Sequence, residues 1–303
     1  GTELGRPDHQ SLLLLLTTMA LCGEWEMEFH PSRDWALLSG AAWGFALWTS
    51  LYEPMLLLLV VLGATVIRTG RSAFTGARRV EWLALLSIAV LALICERRVP
   101  PLPLWSANSV SANWARTIGE LRHVSIIDRI WLAWTGGFVL ALPLLLWKTT
   151  WRRSRISVAA VGAVLATYLL TLWQARWGYF FVGSLVIILP ALIAAIRRPI
   201  IVAVLLCICI FPIARDWDSH LWPNEWMEQI RTGQRAEQMQ LREAARQLRS
   251  DHSECFLAPW WLTPAIAYWS GQPGVAGSSH EAIDGIADSA RFFSLQTQTS
   301  PGK

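Results

Sequence analysis

Residues 178–214 read GYFFVGSLVIILPALIAAIRRPIIVAVLLCICIFPIA, two apolar runs separated only by Arg197, Arg198 and Pro199. With flanking residues counted, each run approaches the length of about 20 residues that a helix needs to cross a bilayer. Basic residues in short loops mark the cytoplasmic side of a membrane protein. This stretch therefore predicts a transmembrane hairpin with a cytoplasmic turn.

The composition of all 303 residues agrees with a membrane protein. Hydrophobic residues make up 53% of the chain and charged residues 16%, whereas soluble domains carry about 25% charged residues. The 19 Trp residues suit a chain with aromatic belts at the membrane interfaces. These values exclude a disordered chain, a disulfide-stapled module and a nucleic-acid binder with a dominant basic surface.

The apolar runs predict about eight transmembrane helices and a mainly α, polytopic bundle. They cover residues 11–23, 35–51, 54–67, 82–95, 130–147, 156–173, 178–196 and 199–214. Eight crossings put the three Arg-rich loops on one side, the cytoplasmic one, and they put the acidic segment 24–34 there as well. The loop 96–129 and the tail then face the other side, so we expect a multi-pass protein of the plasma or inner membrane with its active face extracytoplasmic.

The composition changes after Ala214, which divides the chain into a predicted transmembrane domain, 1–214, and an extracytoplasmic domain, 215–303. Residues 224–249 predict an amphipathic helix with Asn224 as its N-cap. Short apolar runs and a helix over 281–293 then predict a small α/β domain, complete or cut short. Because the chain begins at Gly1, we expect an N-terminally truncated piece.

Four short motifs follow one another in a recognisable order. They are Gly5-Arg6-Pro7-Asp8-His9, Thr117-Ile118-Gly119-Glu120, Gln174-Ala175-Arg176-Trp177, and Trp260-Trp261 followed by Ala267-Tyr268-Trp269-Ser270-Gly271-Gln272-Pro273. This set resembles the catalytic subunit of oligosaccharyltransferase, a member of the C-type glycosyltransferases that use polyprenyl-linked sugars. The likeness spans nearly the whole chain as a series of short anchors.

The resemblance implies a role for each motif. Asp8 and Glu120 would be catalytic ligands of Mg²⁺ or Mn²⁺, a hard ion that can neutralise a diphosphate leaving group. His9 would lie near the donor diphosphate, and Arg176 would hold phosphate as a third catalytic group. The twin residues Trp260 and Trp261 would contact the acceptor.

Each of these residues also has a simpler interpretation that the sequence leaves open. Asp8 can cap a helix, Glu120 can be a solvated loop carboxylate, and Arg176 can snorkel to the interface. His280 either caps a helix or faces the acceptor. Glu53, at the predicted extracytoplasmic end beside Pro54, is either a structural carboxylate or a ligand.

The chain departs from the family pattern at three points. Leu262 stands where the family has the Asp that recognises the sequon hydroxyl, and a Leu side chain has no hydrogen-bond acceptor. No aspartate of a first external loop is present, and His9 follows Asp8 where the family usually has a second acid. These departures weaken the expectation of Asn-linked glycosylation and of a complete metal site.

The leading expectation is a metal-dependent glycosyltransferase that moves a glycan from a polyprenyl-(pyro)phosphate to an extracytoplasmic protein or glycan acceptor. Its partners would be the lipid-linked saccharide donor, the acceptor and membrane lipids, without nucleic acid. An alternative keeps the fold but has a lipid, polysaccharide or protein-hydroxyl acceptor. A third hypothesis is a transporter or flippase, although the sequence has no internal repeat of the kind that such folds often show.

Overall fold

The computed structural model of the chain describes residues 9–97, 122–150, 156–250, 255–276 and 283–298. For some of these residues it describes the backbone alone, namely His9, Arg71, Ala73, 148–150, Ser250, Ile283 and 294–298. Of the described residues, those up to Trp217 form one compact unit and those from Asp218 onward form a second.

The described residues fold almost entirely into helices. The first unit contains α1 (His9–Phe29), α2 (Arg33–Thr49), α3 (Tyr52–Thr69), α4 (Ala77–Glu96), α5 (Arg129–Thr135), α6 (Phe138–Thr150), α7 (Val158–Trp173), α8 (Gly178–Ala194) and most of α9 (Pro199–Leu221). The second unit contains α10 (Glu225–Ser250), α11 (Thr263–Ser270) and α12 (Ile283–Gln298).

Every predicted apolar run coincides with a helix, or with the pair α5 and α6, but the helices do not all qualify as membrane spans. Three segments are long and apolar enough to cross a bilayer, namely α3, Ala175–Ala194 (the 3₁₀ turn together with α8) and α9. The bent pair α5 and α6 makes a fourth if it is counted as one span. Helices α2 and α7 have only 17 and 16 residues, and α1 and α4 carry charged residues in their terminal turns. The chain therefore has three or four candidate spans in its described part.

Apolar side chains cover the exposed faces of several helices. On α4, six large apolar side chains are exposed, and on α9 only Cys209 is buried. The exposed residues of α4 are Leu83, Leu86, Val90, Leu91, Leu93 and Ile94, and those of α9 include Ile200, Ile201, Val204, Ile208, Ile210 and Phe211. Soluble monomers rarely expose contiguous apolar surface of this extent, whereas a bilayer solvates it.

Two contacts fix the relative direction of α2 and α4 in the first unit. Glu96 at the end of α4 accepts a hydrogen bond from Trp48 Nε1 at the end of α2, 3.2 Å away. Residue Glu81, one turn into α4, lies against Gly40 in the middle of α2, where an added Cβ would be 2.2 Å from the Glu81 carbonyl oxygen. These two helices therefore run parallel and in close backbone contact, as small residues permit.

Helices α5 and α6 are separated by Gly136 and Gly137 and bend by 61°. Gly136 has φ of +64°, and a Cβ there would lie 2.1 Å from the Cys209 carbonyl oxygen. The Gly137 amide N–H donates to that same oxygen at 2.8 Å. A positive φ and a close backbone approach both require glycine, so the break is specified by the sequence.

The α/β domain predicted for residues 215–303 is wrong for the described residues, because they contain no strand. Phe256 and Gly274 form a single isolated parallel bridge, and α11 lies between them. A bridge of one residue pair cannot form a sheet with an apolar face. The predicted helix over 224–249 is confirmed, since Asn224 Oδ1 accepts from the Met227 amide at 2.9 Å as an N-cap does.

Candidate functional site

The turn between α7 and α8 is a short 3₁₀ segment, Ala175–Trp177, which carries Arg176. The Ala175 amide donates to the Arg122 carbonyl oxygen at 3.0 Å, and the Val124 amide donates to the Leu172 carbonyl oxygen at 3.3 Å. The chain preceding α5 therefore runs beside this turn and fixes its backbone. The sequence predicts that Arg176 holds phosphate, and the structure describes its side chain.

Arg176 forms an ion pair with Glu53 in the first turn of α3. The Glu53 residue is only 1% exposed, and its Oε2 also accepts a hydrogen bond of 2.7 Å from Ser50 Oγ. The Arg176 side chain keeps 26% of its surface exposed. A buried carboxylate therefore orients a guanidinium that can still reach a ligand with its remaining N–H groups.

Aromatic and unpaired polar groups occur at residues adjacent in sequence to this ion pair. Trp177 is fully buried, and its ring lies 5.9 Å from that of Tyr52 and 5.6 Å from that of Phe180. Within the described residues, Trp177 Nε1 and Gln174 Oε1 are buried without a hydrogen-bond partner. Buried polar groups are nearly always paired, so the turn offers a donor and an acceptor beyond those that the fold itself uses.

Several predicted site residues fall outside the part of the chain that the structure describes. These are Asp8, Glu120 and His280, and of His9 only the backbone is described, as the first residue of α1. Whether Asp8 and Glu120 share a metal ion therefore stays a prediction. The described residues contain no group of three or more His, Cys, Asp or Glu side chains that could hold a metal, and Glu53 is engaged with Arg176.

Trp260 and Trp261 lie in the second unit, immediately before α11. Their rings meet edge to face with centroids 5.9 Å apart, and Trp261 is 63% exposed. Leu262, which replaces the family aspartate, is the residue preceding α11 and makes no side-chain cap. An exposed indole at the start of a helix is available for contact with another molecule.

Sequence reasoning missed a buried charged cluster that joins α1, α2 and α4. Arg78 Nη1 donates to Glu24 Oε2 and, at 2.7 Å, to Glu81 Oε2. Ser39 Oγ lies 2.9 Å from Glu81 Oε1 and 3.4 Å from Glu24 Oε1. Glu24, Glu81 and Ser39 are each at most 3% exposed.

The cluster holds two carboxyl groups against one guanidinium. Glu24 lies just beyond the predicted span 11–23, and its pKa is raised to about 8, first by burial and then by the neighbouring Glu81. The cluster therefore keeps a proton at neutral pH. The acidic segment after residue 23 was the feature of the sequence that could have indicated this cluster, because acidic residues did not fit the basic character expected of the cytoplasmic side. In the structure, Glu24 pairs with Arg78 and Glu28 pairs with Arg68.

Comparison with known proteins gives no relative for this chain. No protein-family model, no curated protein and no solved structure matches it.

Proposed function

We propose that the chain belongs to a membrane glycosyltransferase that moves a glycan from a polyprenyl-(pyro)phosphate donor to an extracytoplasmic acceptor, as oligosaccharyltransferase does. In this proposal all eight apolar segments cross the membrane and the active face is extracytoplasmic. The donor lipid approaches between helices, and Arg176 holds its phosphate. Mg²⁺ or Mn²⁺ bound by Asp8 and Glu120 would supply neutralisation of the leaving diphosphate.

The observation that supports this proposal most directly is the setting of Arg176. A guanidinium fixed at the turn between two apolar helices and still partly exposed suits a phosphate group at a membrane surface. Glu53 is a positioning residue here, since it occupies part of the guanidinium and restricts its rotation. The buried donor of Trp177 and acceptor of Gln174 add polar groups at the same turn.

Arg176→Lys tests the role with the least damage to the fold, because Lys keeps a positive charge beside Glu53 but loses the planar fork. Glycan transfer by the full-length protein from purified lipid-linked donor should fall by about tenfold or more, the cost of losing a charge-assisted hydrogen bond. Arg122→Lys is the matched control, because the Arg122 side chain is 47% exposed and lies 3.6 Å from Asp128. Equal transfer rates in both variants would contradict the proposal.

A second experiment addresses the predicted metal ligand. Glu120→Ala should abolish metal-dependent transfer, and transfer that persists in this variant would show that Glu120 is not the proposed ligand. Transfer rates should be compared in Mg²⁺, in Mn²⁺ and in chelator for both proteins.

A second candidate function has the same donor but a lipid, polysaccharide or protein-hydroxyl acceptor. It is favoured by Leu262, which cannot accept a hydrogen bond from a sequon hydroxyl. Mass spectrometry of glycopeptides from cells with and without the gene separates the two, because only an Asn-directed enzyme predicts loss of Asn-linked glycans. A transporter predicts donor uptake into proteoliposomes without any glycosyl transfer.

A further inference from the structure

A cavity of about 300 Å³ lies where α1 and α3 end and where α4 and α7 begin. Arg68 lies 15 positions after Glu53 on α3, and a helix rises about 1.5 Å per residue, so this lining residue is about 22 Å along the helix from the partner of Arg176. We propose that this cavity binds the phosphate of a membrane lipid headgroup. The proposal is independent of the glycosyltransferase function.

Two guanidiniums line the cavity with part of their donors still available. Arg68 pairs with Glu28 through Nη1, and Arg78 makes its contacts to Glu24 and Glu81 through Nη1 as well. The Nη2 and Nε groups of both side chains therefore retain N–H donors. Carboxylates that hold one edge of a guanidinium leave the other edge oriented for a phosphate oxygen.

The carboxylates around the cavity are already engaged by the two guanidiniums. Glu28, the single carboxylate among the lining residues, accepts from Ser157 Oγ and from the Val158 amide as well as from Arg68. Glu24 and Glu81, which are not lining residues, accept from Arg78. An anion in the cavity would therefore be recognised by the remaining N–H donors of Arg68 and Arg78 and not by a net positive charge.

The N-terminus of α4 adds backbone donors to the same cavity. Gly76, the N-cap residue, has φ of +60° and no side chain to accept from the amides of the first turn. Gly76, Ala77 and Arg78 all line the cavity. The Arg79 amide donates to the Gly76 carbonyl oxygen at 3.2 Å, which leaves the Ala77 and Arg78 amides available together with the positive pole of this 20-residue helix. Free amides at a helix N-terminus are the arrangement that binds phosphate in many proteins.

Exposed apolar side chains close in sequence to the lining residues favour a lipid over a soluble phosphate. Ile67 is 87% exposed and immediately precedes Arg68, while Phe74 and Leu83 are 50% and 63% exposed. Phe74 packs on Trp82 with ring centroids 5.9 Å apart. A headgroup held by Arg68 and Arg78 would place its acyl chains along these surfaces, as anionic lipids do at basic pockets between membrane helices.

The test is native mass spectrometry of the full-length protein in detergent, titrated with dioleoylphosphatidylglycerol. Dioleoylglycerol, which has the same acyl chains without phosphate, is the ligand control. Arg68→Gln removes one guanidinium and leaves Glu28 with its partners Ser157 and Val158. Ser72→Asp places a negative charge on an exposed lining residue, and Ser125→Asp makes the same change at an exposed residue outside the cavity lining.

We expect one saturable phosphatidylglycerol site, weakened about tenfold or more in Arg68→Gln and in Ser72→Asp, as loss of a charge-assisted hydrogen bond predicts, and unchanged in Ser125→Asp. Equal affinity in the wild type and both cavity variants would overturn the proposal. So would equal binding of dioleoylglycerol. Inorganic phosphate that binds in the cavity while phosphatidylglycerol does not would show that the occupant is a soluble anion rather than a lipid.

Discussion

The carboxylate of Glu53 is buried at the start of α3 and holds the guanidinium of Arg176, 123 residues further along the chain. The two groups differ in exposure, because Glu53 is 1% exposed whereas the Arg176 side chain retains 26%. Loss of either partner should therefore have unequal consequences. A carboxylate without its cation stays desolvated, whereas the guanidinium can turn toward water.

Arg176→Gln should lower the thermal stability of the protein more than Glu53→Gln does. In Arg176→Gln the buried Glu53 carboxylate loses its cation, and leaving a buried charge unpaired costs about 3–5 kcal/mol. Glu53→Gln should cost less, because water can solvate the partly exposed Arg176 side chain. The Arg176→Gln/Glu53→Gln double variant should recover much of the loss. Unfolding in detergent, followed by circular dichroism for all four proteins, gives the coupling between the two residues. Additive effects of the single substitutions would mean that the ion pair has no energetic role.

The protonated cluster of Glu24, Arg78 and Glu81 predicts a pH dependence of stability. The folded-state pKa of Glu24 is raised to about 8 from an ordinary value of 4.5, so the folded protein binds one more proton than the unfolded chain between these values. Its contribution to stability is present in full below pH 4.5 and is lost as the pH rises through 8. The melting temperature of the wild type should therefore fall as the pH rises from about 4.5 to about 8 and should level off above that value.

Glu24→Gln should remove this part of the pH dependence, because glutamine resembles the protonated carboxyl group. The matched control is Glu26→Gln, on the same helix, whose side chain is 38% exposed and pairs with His30. Melting curves at several pH values compare the three proteins. A wild type and a Glu24→Gln variant with the same slope would refute a shared proton in the cluster.

The close packing of α2 on α4 predicts a large effect at Gly40. A Cβ at this position would lie 2.2 Å from the Glu81 carbonyl oxygen, whereas a Cβ at Gly63 in α3 would have nothing within 4 Å. Gly40→Ala should destabilise the protein by about 1–3 kcal/mol or more through overpacking. Gly63→Ala should be neutral or stabilising by about 0.5–1 kcal/mol, since alanine favours the helix. Similar melting temperatures for the two variants would show that α2 and α4 are further apart.

The N-cap of α10 can be tested separately in the second unit. Asn224→Ala removes the acceptor of the Met227 amide and should destabilise α10 by about 0.5–2 kcal/mol. Asn224→Asp should retain the cap and its stability, because aspartate accepts the same hydrogen bond and suits the positive end of the helix. Hydrogen exchange of the first turn of α10 distinguishes the two. Unchanged protection in Asn224→Ala would exclude a capping role.

Helix positions in the first unit could be predicted from the sequence, because long apolar runs determine them without long-range information. The ends of those helices could not. Helix α1 continues to Phe29, past the predicted end at residue 23, since Glu24 and Glu28 find partners on α4 and α3. Such pairs join residues about 40 to 54 positions apart, and a single sequence does not reveal which charges meet.

The candidate site was predicted in part. The position of Arg176 in a turn followed from the gap between two apolar runs. The sequence did not decide, however, whether its partner Glu53 is a ligand or a structural carboxylate. The structure pairs Glu53 with Arg176 and Ser50. The α/β prediction for the tail failed because Phe256 and its neighbours have the composition of a strand but pair at one residue only.

The buried cluster of Glu24, Arg78 and Glu81 has a consequence for how these three positions can change during evolution. With one carboxyl group protonated, one ionised carboxylate balances one guanidinium. Replacement of Arg78 alone would leave an ionised carboxylate buried without a cation. Homologous chains should therefore exchange the three residues together and not singly.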